Sequence, residues 1–444
     1  LEGVVSSLEG LKVRIEVLGC RTNQYEADAL ADAFVAGGAS LVDGPPWDVA
    51  LLLSCSVTSA ADGKSRQLLR RLKRRVPEAL VVAVGCWAQR ADDDEIASVG
   101  VDLVVGNGRK AELVGAVEAL IEGRLPAGTV LRQSLSPPAR WDPLFMGRPH
   151  LHSRAFVKVQ DGCDHFCSYC IIPRLRGHPQ SRPLDDVLGE IGSVVASGCP
   201  EVILTGIHLG LYGRDLGLSL ADLVGAVASV KGLKRLRFGS LEPFALDDAL
   251  LALLAASPVF SPHLHLPLQS GDDEVLARMR RGYGAADFRA LVARLRSLWG
   301  DDLHISTDLL VGFPGETEEA FERSLDLLLA LNLGRLHVFP FSPRKGTEAA
   351  SLNGRLPPEI LRERCRRALD LGESLLSRYA RRWVGREVQI VVENSENGRI
   401  RGLSAHYLDV EAPGEASVGD VVTLRIEKEA RGRLLAFPLS LSVR

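Results

Sequence analysis

The chain has 444 residues, 46% hydrophobic and 25% charged, with 43 glycines and 23 prolines; this composition gives room for two or three cores and excludes collagen-like, low-complexity and disordered classes. The formal net charge of −3 argues against nonspecific wrapping of nucleic acid but leaves room for a local basic face. Apolar runs such as LALLAA and SLDLLLALNL fall short of a bilayer's thickness and no N-terminal basic stretch leads into an apolar signal core, so a cytoplasmic protein without stable membrane association is expected.

In chain order, the apolar runs KVRIEVLG, DVALLLS, ALVVAVG and VDLVVG alternate with helical stretches near Ala27 to Val35, Lys64 to Arg75 and Lys110 to Ile121. That alternation predicts an α/β fold beginning with a small doubly wound domain over 11–124. The second helix carries KSRQLLRRLKRR, with Leu68, Leu69 and Leu72 on one side and a basic face on the other. Lys64, Arg66, Arg70, Arg71, Arg74 and Arg75 are its RNA-phosphate candidates, a solvated helix face being the plain alternative. A linker over 125–150 contains SPPARWDPLFMGRP. Six further strands, AFVKVQ, EVILTG, KRLRFGS, HLHLPL, LHISTDLLVG and GRLHVF, predict a partial (β/α)6 barrel over 151–380, with a complete eight-stranded barrel as the alternative. From 381 the short strands REVQIVVE, GRIRGLS, HYLDVEA, DVVTLRIEK and RLLAFPL predict a small β-barrel. Arg381, Arg382, Arg386, Arg399, Arg401, Arg431 and Arg433 are available there for RNA, nearly balanced by acidic residues.

Eight cysteines in a long chain of this kind point to metal or redox chemistry before structural disulfides. Cys20, Cys55 and Cys86 each follow a predicted strand, so the carboxyl edge of one parallel sheet would gather them where ligands usually sit; three small buried residues are the alternative. Cys163, Cys167 and Cys170 stand in the spacing C-x3-C-x2-C within VQDGCDHFCSYCIIPRLRG. Zinc sites close with four ligands, whereas three thiolates suit a 4Fe-4S cluster with one iron open. An open iron can chelate the amino and carboxylate groups of S-adenosylmethionine, whose reductive cleavage would give a 5'-deoxyadenosyl radical. Cys199 and Cys365 read as ordinary helical or buried cysteines, and His208, His263 and His265 as structural histidines.

This triplet resembles that of the radical S-adenosylmethionine superfamily, and the chain from Lys12 onward resembles its tRNA methylthiotransferases. The resemblance rests on LGCRTNQYEA, LSCSVTSAADGKSR, VGCWAQR, the triplet, LTGIHLGLYG, FGSLEP, HLHLPLQSGDDEVLARMRRGY, STDLLVGFPGETEEAF and HVFPFSPRKGTEAA. It implies a second 4Fe-4S cluster on Cys20, Cys55 and Cys86 that holds or delivers sulfur, two uses of S-adenosylmethionine, a reducing electron donor, a sulfur source, and a terminal module of the TRAM type. Gly206 is expected near the methionine end of the cofactor, and Ser240 and Glu242 near its polar groups. Gln269 and Asp308 are further pocket candidates, and Gly312, Phe313, Pro314 and Gly315 a wall beside adenosine. NQYEA, ADGKSR and HVFPFSPRKGTEAA resemble the subgroup acting on N6-threonylcarbamoyladenosine 37, while Arg21 and Thr22 depart from its CKVN form and Ser54 replaces a frequent asparagine. The implied partner is the tRNA anticodon stem-loop, bound by a monomer, with Arg174 and Arg176 facing either a phosphate or the threonylcarbamoyl carboxylate. Alternatives are an isopentenyladenosine enzyme, a ribosomal-protein aspartate enzyme, and a non-radical iron-sulfur RNA-binding or sulfur-carrier protein.

Overall fold

The computed structural model describes residues 8–135 and 141–438; the Ser/Pro-rich start of the expected linker, 136–140, lies outside them. The first sheet is wholly parallel, and its central strand Val49–Ser54 is apolar and buried along its length because helices cover both faces. Strand order runs Ser40–Leu41, Lys12–Val17, Val49–Ser54, Leu80–Gly85, Leu103–Val105, Thr129–Leu131. The chain therefore winds outward in both directions from Lys12–Val17, so a topological switch point lies between that strand and Val49–Ser54. Its two edge strands carry too few residues to show a pattern, and Thr129–Leu131 falls inside the segment read as a linker. Helices Arg21–Ala36, Ser59–Arg75 and Leu113–Ile121 match the three expected, each starting close to or before its predicted end, and Cys86–Arg90 and Asp93–Val99 are additional.

All six strands of the second series form: Ala155–Lys158, Glu201–Thr205 and Arg235–Phe238 in one parallel sheet, His263–His265, His304–Val311 and Arg335–Pro340 in another. Parallel bridges Leu236 to Phe260 and Ser240 to His265 join the two into one curved wall. Among the described residues its outer strands, Ala155–Lys158 and Arg335–Pro340, do not pair, which makes a partial barrel rather than the eight-stranded alternative. One continuous apolar cluster runs from Leu30 and Leu51 of the first sheet's layers through Val157 and Leu204 to Leu309 and Leu336. The long helix Pro358–Arg381 leads to a closed five-stranded barrel, antiparallel apart from the pairing of Asp409–Pro413 with Arg433–Pro438.

Buried charge ties these parts together. Glu201, fully buried, receives Arg237 Nε at 2.7 Å and stands 3.5 Å from both Arg235 and Arg154. Arg237 also donates to the carbonyls of Ser404 (2.6 Å) and Ala405 (2.9 Å), fastening the terminal barrel to the central wall. Burial alone raises the Glu201 pKa, but Arg237, Arg154 and Arg235 outweigh it and hold the carboxyl below its ordinary value. A depressed folded pKa gives stability that is complete above the ordinary carboxylate range and is lost as pH falls through the folded value. Glu201→Gln is expected to destabilise the metal-free protein by about 3–5 kcal/mol at neutral pH, because it strands buried guanidinium groups. Urea unfolding at neutral and acid pH checks this: the gap from the parent should narrow on acidification, and a gap constant with pH would refute the ionic account.

Candidate active site

Cys20 caps helix Arg21–Ala36, Cys55 directly follows strand Val49–Ser54, and Cys86 opens helix Cys86–Arg90 after strand Leu80–Gly85. All three occupy the carboxyl edge of the first sheet, Cys20 and Cys55 flanking its switch point. The approach is close: a Cβ at Gly19, whose φ is +101°, would lie 2.9 Å from Cys55 Cβ and 3.0 Å from its sulfur. Asn23 Nδ2 fixes the two turns by donating to Leu18 O (2.6 Å) and Ser54 O (3.0 Å), and Asn107 Nδ2 donates to Leu175 O (2.7 Å) beside the Cys86 sulfur (3.6 Å). Burial pushes the Cys55 thiol up to about 11, with Cys86 and Cys20 adding to the rise, and burial also raises Cys86.

Cys163, Cys167 and Cys170 lie in the loop after strand Ala155–Lys158. A Cβ at Gly162 would fall 2.0 Å from the His178 carbonyl oxygen, so only glycine lets the loop close on Gly177 O, which accepts from Cys163 N at 3.0 Å. Arg281 Nη1 reaches the Cys167 sulfur at 3.3 Å and its other nitrogen pairs with Glu242. Burial raises Cys163 to about 11 and Cys170 to about 12. Among the described residues no three His, Cys, Asp or Glu side chains draw close enough to enclose a single metal ion; within each set the thiols still act on one another's ionisation, Cys86 and Cys20 on Cys55 and Cys167 and Cys163 on Cys170, the proximity that ligands of one shared cluster need.

A cavity of about 240 Å³ is lined by Cys170 and Tyr169 on one side and by Val57 and Thr58, just beyond Cys55, on the other. Gln269, Asp308 and Leu310 line the barrel side, with Phe339 at the rim, 47% exposed. Asp308 is held by His265 Nε2 at 3.2 Å, and Ser306 Oγ bridges His265 and His263 at 2.9 Å each, which gives the histidines structural partners.

Residues 157–328 match the Radical SAM superfamily and residues 12–106 match the uncharacterized protein family UPF0004. The chain is 34% identical over 420 residues to threonylcarbamoyladenosine tRNA methylthiotransferase MtaB of Thermotoga maritima, spanning 94% of each. It is 32% identical over 441 residues to tRNA-2-methylthio-N(6)-dimethylallyladenosine synthase of Thermobifida fusca, covering 95% of this chain and 88% of that protein. The chain belongs to the radical S-adenosylmethionine methylthiotransferase family. A solved radical S-adenosylmethionine methyltransferase, TsrM from Kitasatospora setae, shares the fold with a TM-score of 0.56 at 16% identity, covering 77% of each chain.

Within this methylthiotransferase, Gln269 and Asp308 line the cavity, and Glu242 reaches the second triplet through Arg281. Ser240 is exposed at the end of its strand, and Gly206 packs against Gln160, where a Cβ would sit 3.0 Å from its neighbour's. Gly312 and Phe313 do not line the cavity: the Gly312 amide donates to Glu316, and Phe313 is fully buried against Phe341. Pro314 and Gly315 offer their carbonyls to Arg278. Arg281 and Asn23, which contact cysteines of the two sets, were both inside quoted motifs but carried no spacing signal of their own.

The basic helix is largely neutralised within the fold. Arg66 pairs with Glu95 and Arg71 with Glu16 (3.0 Å each), Arg70 bonds Ser98, and Arg75 lies over Trp47. Lys64 and Arg74 are exposed with no ion pair or hydrogen bond among the described residues. Arg174 is exposed at a smaller pocket beside Cys167 and Cys170. Arg176 is no surface phosphate contact: its side chain is fully buried against Glu26 and Asp161. In metal-free protein, iodoacetamide at neutral pH should alkylate exposed Cys20 well before buried Cys55 and half-buried Cys170, whose thiols desolvation holds protonated. Peptide mass spectrometry over time reads the order, and equal rates would refute the buried-thiol geometry.

Proposed function

We propose that this enzyme inserts a methylthio group at carbon 2 of N6-threonylcarbamoyladenosine 37 in tRNA. The observation that carries the reading is the cavity with Cys170 on one wall and the residues following Cys55 on the other, in a chain whose relatives over 94% of its length bear that name. Cys163, Cys167 and Cys170 would hold one 4Fe-4S cluster, and Cys20, Cys55 and Cys86 the other. When bound, the first with S-adenosylmethionine supplies hydrogen-atom abstraction and the second supplies the sulfur. The chain's own side chains do the orienting. Val57, Leu310 and Phe339 offer apolar surface to a splayed-out purine, and Gln269 and Asp308 offer polar groups to its edge.

Isopentenyladenosine is the second reading, favoured by relatives named for dimethylallyladenosine at 32% identity and by the apolar lining. The threonylcarbamoyl carboxylate has a cationic counterpart in Arg174, which lines the adjoining pocket, whereas Arg280 there is paired with Glu348. On the terminal barrel, Arg399, Arg401 and Arg433 gather around the single carboxylate of Glu411, leaving a local excess of positive charge suited to RNA phosphates.

Anaerobically reconstituted protein incubated with either modified tRNA, followed by nucleoside mass spectrometry, decides the substrate: the threonylcarbamoyl nucleoside should gain the methylthio group, and gain only by the isopentenyl nucleoside would overturn the choice. Cys167→Ala should abolish reductive cleavage of S-adenosylmethionine, whereas Cys55→Ala should keep some cleavage and lose sulfur insertion. Replacing Lys64, Arg74, Arg399 and Arg401 by glutamine should weaken tRNA binding and flatten its log–log salt slope by roughly 0.7–0.9 per lost phosphate contact; an unchanged slope would remove these side chains from the interface.

A further inference from the structure

Arg176 ends the short helix Ile172–Arg176, six positions after Cys170, yet its guanidinium lies inside the first sheet's edge. Nη2 donates to Asn23 Oδ1 at 2.9 Å, and Nη1 donates to Glu26 Oε1 and Asp161 Oδ2 at 3.0 Å each. Its Nε is buried with no hydrogen-bond partner among the described residues. Asn23 is the residue that holds the carbonyls of Leu18 and Ser54, and its Oδ1 lies 3.9 Å from the Cys20 sulfur. Leu175, the neighbour of Arg176, packs with Cys86 and Ile171 and is held by Asn107, which also touches the Cys86 sulfur. Arg176 thus sits among the turns that carry all three cysteines.

The surrounding charge makes its role specific. Lys110 and Lys158 both pair with Glu26, Lys158 also with Asp161, and Asp142 accepts from the backbone amides of Lys110 and Ala111. Three cations and three carboxylates balance, so thiolates placed at this edge bring negative charge that the carboxylates do not offset. Of the three cations, Arg176 is the one hydrogen-bonded to Asn23, whose amide group joins the turns at Leu18 and Ser54 beside Cys20 and Cys55. At low dielectric a buried cation beside an anionic centre has a large influence on it.

We propose that Arg176 is a positioning residue for the first cysteine triplet: it is the buried counter-charge of the cluster bound there and raises that cluster's reduction potential. This rests on the reading that Cys20, Cys55 and Cys86 hold a cluster. A buried cation stabilises the more negative, reduced state, so its removal makes reduction harder. Because the same arginine is tethered six residues beyond Cys170, its charge is delivered from the loop that carries the second triplet.

The test uses full-length protein with Cys163→Ala, Cys167→Ala and Cys170→Ala, reconstituted with iron and sulfide so that the first triplet alone can be loaded. Iron and sulfide content is measured, and a reductive titration followed by electron paramagnetic resonance gives the midpoint potential. In this background Arg176→Gln should shift the potential downward, and Arg176→Lys should stay near the parent. Iron retained by the lysine variant but lost from the glutamine variant would also support the charge requirement. An unchanged potential in Arg176→Gln, an equal downward shift in both variants, or loss of iron from both would overturn the inference while leaving the cluster assignment intact. A parent that takes up no iron would overturn both the assignment and the inference.

Discussion

The pairing of Glu26 with Arg176, Lys158 and Lys110 is the constraint on which the arrangement depends. Glu26 belongs to the helix that follows Cys20, Lys158 to the first strand of the barrel wall, and Arg176 to the loop beyond Cys170. Each group is buried, and burial alone would drive Glu26 toward protonation; the three cations overcome this and hold its pKa well below the ordinary range. An isolated buried carboxylate or guanidinium would be strongly unfavourable, so the charges are tolerable only when the two sheets meet in this register. Apolar packing across the seam supplies adhesion without direction, whereas the ion pairs specify which residues face one another.

That seam explains why the reactive groups lie where they do. The first sheet's switch point brings Cys20 and Cys55 together, and the barrel presents its triplet on the loop after its first strand. Docking one sheet against the other then leaves a cavity between them rather than two separate surfaces. Burial raises the thiols of Cys55 and Cys86 in one set and of Cys163 and Cys170 in the other, so loading either set requires proton release as well as ligation. Arg176 and Arg281 give each triplet a buried guanidinium, but in different ways. Arg281 touches a sulfur directly and shares its charge with Glu242, while Arg176 acts across Asn23 and leaves one nitrogen unpartnered.

Much of the layout was legible because period and spacing are local properties. All six barrel strands, the five strands of the terminal barrel and four strands of the first sheet follow from apolar runs bounded by turn residues. The edge strands Ser40–Leu41 and Thr129–Leu131 were not, since two or three residues form strands only through the neighbour they pair with. The cysteine positions were legible from their places after strands. Arg176 was misread because a sequence shows charge without burial: in CIIPRLRG nothing separates the exposed Arg174 from the enclosed Arg176. VGFPGE likewise showed glycines able to approach a ligand, whereas the structure uses them for a turn against Leu361 and Arg278. Arg21 and Ser54, departures from the subgroup's usual pattern, have structural work: Arg21 bonds Phe238 O and the Tyr407 hydroxyl, and the Ser54 hydroxyl donates to Val84 O and accepts from Trp87 N.

The terminal barrel is fixed to the catalytic region by the same physics. Tyr407 stacks on His263 with ring centroids 4.1 Å apart and accepts from Arg21, while Arg237 holds the carbonyls of Ser404 and Ala405. Tyr379 stacks on His304 and donates to Asp302 O at the end of the connecting helix. These contacts are buried and directional, so the barrel is an extension of the wall and not a module on a loose tether. A rigid connection places the arginines around Glu411 at a set separation from the cavity mouth. Under the proposed function, phosphate contacts made there would carry no sequence information but would fix how far the bound backbone stands from the cavity, so that the rigid seam, and not the base, would set which nucleotide is presented.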